Sequence, residues 1–368
     1  CLTSADGETA WCRAGWDGVP WVSCAGDWSA PVLGVARYDG DLIVSGEFTD
    51  AGPDSADYVA KWNGVDWEPL GESANDWARE LIEYEDELLA CGYFTEIGGI
   101  TANRVAAWDG TDWSPLGSGM LGYGSCAVYG LEPYNDGMIA YGNFSSAGGI
   151  DLGHIAYWNG VAWESIDADH GPITTVTPWG GGLFAGGFNQ YYQGLVLEHV
   201  SYWTGEDWQQ LGHGLISDLP EERFVQRMIS YDGQLVMIGG FTQGDMIRSP
   251  YIMAWNGEQW LDMHGDEDMV FFAGLHCLES YQGEMIVGGT FSNGWDVPEA
   301  DRIAAWDGSS YHGLGYGLNG FGVWAVCEHD GLLYAGGHIQ STGSGIELAN
   351  IAVWNGSTWQ DVHLGMDA

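Results

Sequence analysis

Basic residues are almost missing from this chain. One lysine (Lys61) and eight arginines stand against 52 Asp and Glu, a formal net charge of −43 over 368 residues. Phosphate backbones are gripped by Lys and Arg that displace counterions, so nucleic-acid binding is excluded as a function class. Anionic membrane surfaces are repelled for the same reason. Long apolar runs are absent too: no stretch approaches the ~18 residues that span a bilayer. The catalytic punctuation of common enzymes is missing, with no Gly-x-Ser-x-Gly elbow, no His-Glu-x-x-His and no Walker loop. No Cys-x-x-Cys occurs, and the ten histidines show no metal-ligand spacing. Gly117-x-Gly119-x-x-Gly122 and Gly315-x-Gly317-x-x-Gly320 spell a dinucleotide fingerprint, but neither joins a strand to a helix that could hold a pyrophosphate. A disordered chain is ruled out by 45% apolar and 14% aromatic residues.

What the chain has in excess is tryptophan, 21 in all, and the excess is periodic. Trp16-Asp17-Gly18 is followed by Trp21, Trp62-Asn63-Gly64 by Trp67, and Trp108-Asp109-Gly110 by Trp113. The pattern returns at Trp158/Trp163, Trp203/Trp208, Trp255/Trp260, Trp306/Tyr311 and Trp354/Trp359, always five residues apart. A second unit lies between these, as in Tyr38-Asp39-Gly40-Asp41 running on to Phe48. It recurs at Tyr84–Phe94, Tyr134–Phe144, Trp179–Phe188, Tyr231–Phe241, Tyr281–Phe291 and His329–Ile339. Both units read as strand pairs around an Asn-Gly or Asp-Gly turn. We name the strands A and B (around Tyr-Asp-Gly) and C and D (around Trp-Asn-Gly). Four short strands repeated every 45 to 52 residues predict an all-β propeller. The repeated Trp residues are expected to fill the space between blades, each with an N–H that needs a partner. Paired glycines of the B strands (Gly186-Gly187, Gly239-Gly240, Gly288-Gly289, Gly336-Gly337) are expected to allow close approach of sheets near the axis.

Eight C–D units but seven A–B units occur, so residues 1–27 hold a spare hairpin and residues 28–368 a seven-bladed ring. An eight-bladed ring is the alternative. The pattern Ile-Ala-x-Trp-Asn-Gly-x-x-Trp-x-x-Leu-Gly-x-Gly resembles the kelch-like repeats of large secreted bacterial proteins and fungal cortical marker proteins, over roughly residues 10–365. The resemblance implies a bacterial extracellular or cell-surface protein, non-enzymatic, structural or adhesive. Galactose-oxidase-like relatives hold copper, but no Tyr/Tyr/His ligand set maps onto this chain.

The seven cysteines extend that expectation. Cys1 opens the chain as a lipid-bearing cysteine of a lipoprotein would, which is the one predicted route to a membrane. Cys12 and Cys24 flank the first Trp hairpin and are expected to bridge its strands. Cys91 with Cys126, and Cys277 with Cys327, fall in consecutive repeats and are candidates for inter-blade pairs. No cofactor is expected unless Ca²⁺, for which Asp50, Asp54, Asp57, Asp266 and Asp268 are candidates, none in an EF-hand pattern. The B–C and D–A connections are long and fall on one face, where binding resides on a rigid scaffold. Trp77, Tyr191, Tyr192, Trp295 and Trp324 lie there as candidate ligand contacts. The spare hairpin is expected to dock either on its own ring, closing it or capping a sheet edge, or on a neighbouring copy, linking rings into a filament, and the expected partners are further copies of this chain or other surface proteins and glycans. A lectin or carbohydrate-active enzyme using the long-loop face is the alternative function.

Overall fold

Two kinds of turn build the repeat, and the structure separates them. In a computed structural model we describe residues 14–15, 22–23, 32–49, 56–62, 67–166, 171–188, 191–192, 195–196, 199–217, 224–263, 274–292, 300–329, 331–348 and 351–360. The A–B turns are two-residue loops such as Asp39-Gly40 (φ 50° and 86°) and Asp232-Gly233 (φ 46° and 71°), positive at both positions as a type I′ hairpin requires. The C–D loops are four residues long, because Trp108 pairs with Trp113 and Trp354 with Trp359. Here the repeated Asn or Asp caps the loop. Asp109 Oδ1 accepts the N–H groups of Thr111 (2.8 Å) and Asp112 (2.9 Å), and Asn256 Oδ1 those of Glu258 and Gln259. The following glycine takes φ from 88° (Gly160) to 102° (Gly257), which favours glycine there. Sequence reading had placed both units in one turn class. Only the acceptor oxygen matters at the C–D position, which explains why Asn and Asp alternate there and why Thr204 substitutes in one repeat.

Among the described residues seven four-stranded antiparallel sheets follow, each in the order A-B-C-D. Their A strands are Val32–Tyr38, Ala78–Tyr84, Ala127–Tyr134, Ile173–Trp179, Phe224–Tyr231, Leu275–Tyr281 and Leu318–His329, and they define blades 1 to 7. Each A strand packs against the next, from blade 1 round to blade 7, so the chain is a β-propeller. The described residues include no helix.

The apolar cores lie between blades. One joins Leu89, Val105 and Ala107 of blade 2 to Leu131, Ala140 and Trp163 of blade 3, and another joins Ile286 of blade 6 to Leu333 and Trp354 of blade 7. The D-strand Trp is the joint. Trp113 Nε1 donates to Leu70 O, Trp163 to Leu116 O and Trp359 to Leu314 O, each at 2.8 Å and each reaching the preceding blade. Trp208 does the same to Ile166 O at 2.6 Å. Its C-strand partner packs directly opposite, with centroids 5.1 Å apart for Trp158 and Trp163.

The long connections carry short strands of their own: Glu96–Ile97 pairs with Ile100–Thr101, Ser146–Ala147 with Ile150–Asp151, and Gln243–Gly244 with Ile247–Arg248, forming ribbons in the B–C connections of blades 2, 3 and 5. The D–A segments Met120–Leu121 and Leu215–Ile216 add a third strand to two of these ribbons. At the N-terminus, Ala14–Gly15 pairs with Val22–Ser23 in the register of the C–D hairpins.

The indole joint is testable. Trp163→Phe keeps most of the packing but leaves Leu116 O unpaired, and should cost about 1–3 kcal/mol in chemical denaturation. Trp163→Ala should cost about 3–5 kcal/mol. A Phe variant as stable as the parent would show that the N–H contributes nothing.

Candidate functional site

Every A strand carries a β-bulge at one shared level, and the longer A strand of blade 7 has two further register shifts, at Asn319/Gly320 and Gly320/Gly322. The shared register shifts fall between Val32/Gly34, Ala78/Glu80, Val128/Gly130, Ile173/Thr175, Val225/Arg227, Leu275/Cys277 and Val323/Ala325. The extra residues are Leu33, Arg79, Tyr129, Thr174, Gln226, His276 and Trp324. The B strand opposite explains why. It carries a glycine eight residues beyond the A–B aromatic, and a Cβ on Gly92, Gly142, Gly187, Gly239, Gly289 or Gly337 would collide with the A-strand carbonyl two residues before the bulge. Bulges re-aim side chains and gather next to binding sites. Here they form a ring at the mouth of the central channel, on the long-connection face. The expected role of the paired glycines thus holds for Gly186 and Gly288, whose added Cβ would meet Val225 and Val323 of the next blade. Their partners, Gly187 and Gly289, serve the bulge.

Neighbouring ring residues touch. The Arg79 guanidinium lies 5.1 Å over the Tyr129 ring and donates from Nε to Tyr129 O at 3.1 Å. Gln226 Nε2 reaches His276 Nδ1 at 3.4 Å, and the His276 and Trp324 rings are 4.1 Å apart at 31°. Burial lowers the His276 pKa, so the ring is neutral at pH 7. With the Gln226 amide donating to Nδ1, the ring proton sits on Nε2, a buried donor with no partner among the described residues. Phe321 stacks on Trp324 at 6.2 Å, and both are exposed. In blade 4, Phe188 follows its glycine with no residue between. It therefore falls out of register, stands exposed and packs on Phe224 at 5.6 Å, while Phe48, Phe94, Phe144 and Phe241 are buried.

Enclosed carboxylates lie below the ring. Glu80 accepts the Leu131 N–H at 2.7 Å, and burial raises its pKa against the opposing pull of Arg227 and Arg79. Burial, helped by the Glu80 charge, pushes Glu132 up to about 7. Burial likewise raises Glu279.

Of the sequence candidates, Trp324 is on the ring, and Trp77 lies two residues before the Arg79 bulge, edge-on to Tyr93 at 5.5 Å. The backbone of Tyr191–Tyr192 pairs with Leu195–Val196 on the blade 4 connection, and Trp295 lies outside the described residues. Arg79, Tyr129, Gln226 and His276 were missed because the seven bulge residues share no chemical type. The recurring glycine opposite was the available signal. Asp57 donates its N–H to Ser73 Oγ, while Asp50, Asp54, Asp266 and Asp268 lie outside the described residues. Among the described residues no three His, Cys, Asp or Glu side chains gather as a metal site.

Cys1, Cys12 and Cys24 also lie outside the described residues. The inter-blade disulfides are corrected, because Cys91, Cys126 and Cys277 are free, buried thiols. Cys277 Sγ faces Val323 O at 4.0 Å, and Cys327 is four residues further along that strand, roughly 13 Å away at strand rise. Cys91 pairs with Glu80, just past one bulge, whereas Cys126 precedes the neighbouring bulge by three residues, a similar offset. Burial pushes the Cys277 thiol up to about 12.

No family model and no curated protein matches the chain. Among solved structures it is similar to the WD40 β-propeller domain of Doa1, at 12% identity over 93% of this chain and 96% of that one, with a TM-score of 0.47. It is also similar to the computationally designed Ika8 protein, at 11% identity over 88% and 95%, with a TM-score of 0.40.

The Glu132 environment predicts a pH effect. A folded pKa near 7 against the usual 4.5 means that the native state holds this proton more tightly. The group therefore weakens the fold as pH rises from about 4.5 to about 7, and fully above that. Glu132→Gln should raise the melting temperature at pH 8 and leave it unchanged at pH 4. An equal shift at both values would contradict the assignment.

Proposed function

We propose that this propeller is a non-catalytic extracellular recognition and adhesion module of the kelch-like kind, which binds carbohydrate at the bulge-ring mouth. The observation that carries the reading is the exposed Phe321–Trp324 stack beside His276 and Gln226. The C–H faces of a sugar ring pack on exposed aromatic faces, and its hydroxyls need fixed donors and acceptors nearby. The Gln226 amide, held by the neutral imidazole of His276, supplies those. The resemblance of the Trp-Asn-Gly repeat to kelch-like repeats of secreted proteins supports the extracellular placement.

A glycan array followed by calorimetry tests the reading. Trp324→Ala should weaken binding of any captured glycan by at least about tenfold while leaving the unfolding transition in place. Capture of no glycan, binding indifferent to Trp324, or turnover of the bound sugar would overturn it.

A further inference from the structure

In a chain with 52 acidic and nine basic residues, any arginine has carboxylates to choose from. Lys61 takes two, Asp41 at 3.3 Å and Glu68 at 3.4 Å. Yet Arg79, Arg104, Arg227 and Arg302 make no ion pair among the described residues. Their positions are not scattered. Arg79 is itself a bulge residue, and Arg227 directly follows the bulge at Gln226. Arg104 and Arg302 stand ahead of C strands and reach the entry of the next blade's A strand, Arg104 Nε to Cys126 O at 3.4 Å and Arg302 Nε to Gly320 O at 3.1 Å. All four belong to the long-connection end of the ring.

Two of them are uncommitted. Arg79 uses Nε on Tyr129 O, leaving its terminal nitrogens free among the described residues. Arg227 is exposed and makes no hydrogen bond among them. Arg79 is a bulge residue and Arg227 follows the bulge residue Gln226, whose amide reaches His276 beside Trp324, so both guanidinium groups start from the bulge level of the channel, and both act on the charge of Glu80. Glu80 itself is engaged by the Leu131 N–H.

We infer that the channel mouth selects an acidic saccharide, a uronate whose carboxylate is held by Arg227 and Arg79 while its ring lies on the Trp324 and Phe321 faces. This rests on the carbohydrate reading above and adds the charge of the ligand. Guanidinium is the fitting group, since its planar fork matches a carboxylate in two parallel hydrogen bonds. The overall charge of −43 does not forbid it. Screening limits the reach of surface carboxylates to about 8 Å at physiological salt, and the arginine surplus lies inside the mouth. A polyanion laid across the acidic exterior would still be repelled.

The experiment titrates the full chain with uronate trisaccharides (galacturonate, glucuronate, mannuronate and guluronate), each against its methyl ester. It is read by calorimetry at 0.15 M salt with a chelator present, so that no bridging cation stands in. One uronate should bind at least about tenfold tighter than its ester. Arg227→Gln should bring the acid to the ester's affinity with ester binding and the melting temperature unchanged, and Arg79→Gln should do the same to the affinities while lowering the melting temperature, since it also gives up the bond to Tyr129 O. Esters that bind as well as the acids would refute the charge assignment while leaving the mouth a sugar site. A preference for the acid that survives Arg227→Gln would refute it too. Failure of every acid and ester to bind would remove both this inference and the carbohydrate reading.

Discussion

Blades that meet at an axis have little room at their inner edge and too much at their rim, and this taper governs the repeated residues. The rim is filled by the D-strand aromatic, which packs on its C-strand partner and, at Trp113, Trp163, Trp208 and Trp359, donates its indole N–H to the preceding blade. The inner edge is relieved by glycine. Removing one side chain from the B strand lets the A-strand backbone move in, and the A strand absorbs an extra residue as a bulge. Rim and axis thus obey one constraint with opposite residue types. The joint stabilises the ring, and the bulge equips it.

The A strands are also the inner edges of their sheets, with backbone groups turned to the channel rather than to a neighbouring strand. Side chains from the preceding blade satisfy some of them. Glu80 takes the Leu131 N–H, Thr177 Oγ1 donates to Met228 O at 3.2 Å, and Arg79 donates to Tyr129 O. Enclosure there penalises charge, which is why Glu80, Glu132 and Glu279 hold their protons more tightly than usual. It also gives free guanidinium groups their value, since a charge-assisted bond strengthens where water is scarce.

The fold was legible because its period was. Trp-Asn-Gly and Tyr-Asp-Gly marked fourteen strand pairs of the ring, and the sheets form where they were expected. The shortened Trp179–Phe188 unit was visible as well, one residue below its siblings, and it is the blade that exposes its phenylalanine. Other features were hidden for physical reasons. Cysteines in consecutive repeats look like partners, but pairing depends on height along the strand, and a four-residue offset defeats it. The ring of Leu33, Arg79, Tyr129, Thr174, Gln226, His276 and Trp324 has no composition to recognise, because a bulge is specified by the glycine facing it. The isolation of Arg79 and Arg227 from carboxylates is a tertiary fact that a charge count obscures.

The central claim is that the B-strand glycine creates the bulge and so the site. Chemical denaturation of Gly239→Ala beside Gly233→Ala tests it most directly. An added methyl at Gly233 meets open space and costs only its left-handed backbone, about 1 kcal/mol. At Gly239 it meets the Phe224 carbonyl and should cost about 3 kcal/mol or more, with glycan binding lost at temperatures where both variants are folded. Equal costs with binding retained would contradict the account.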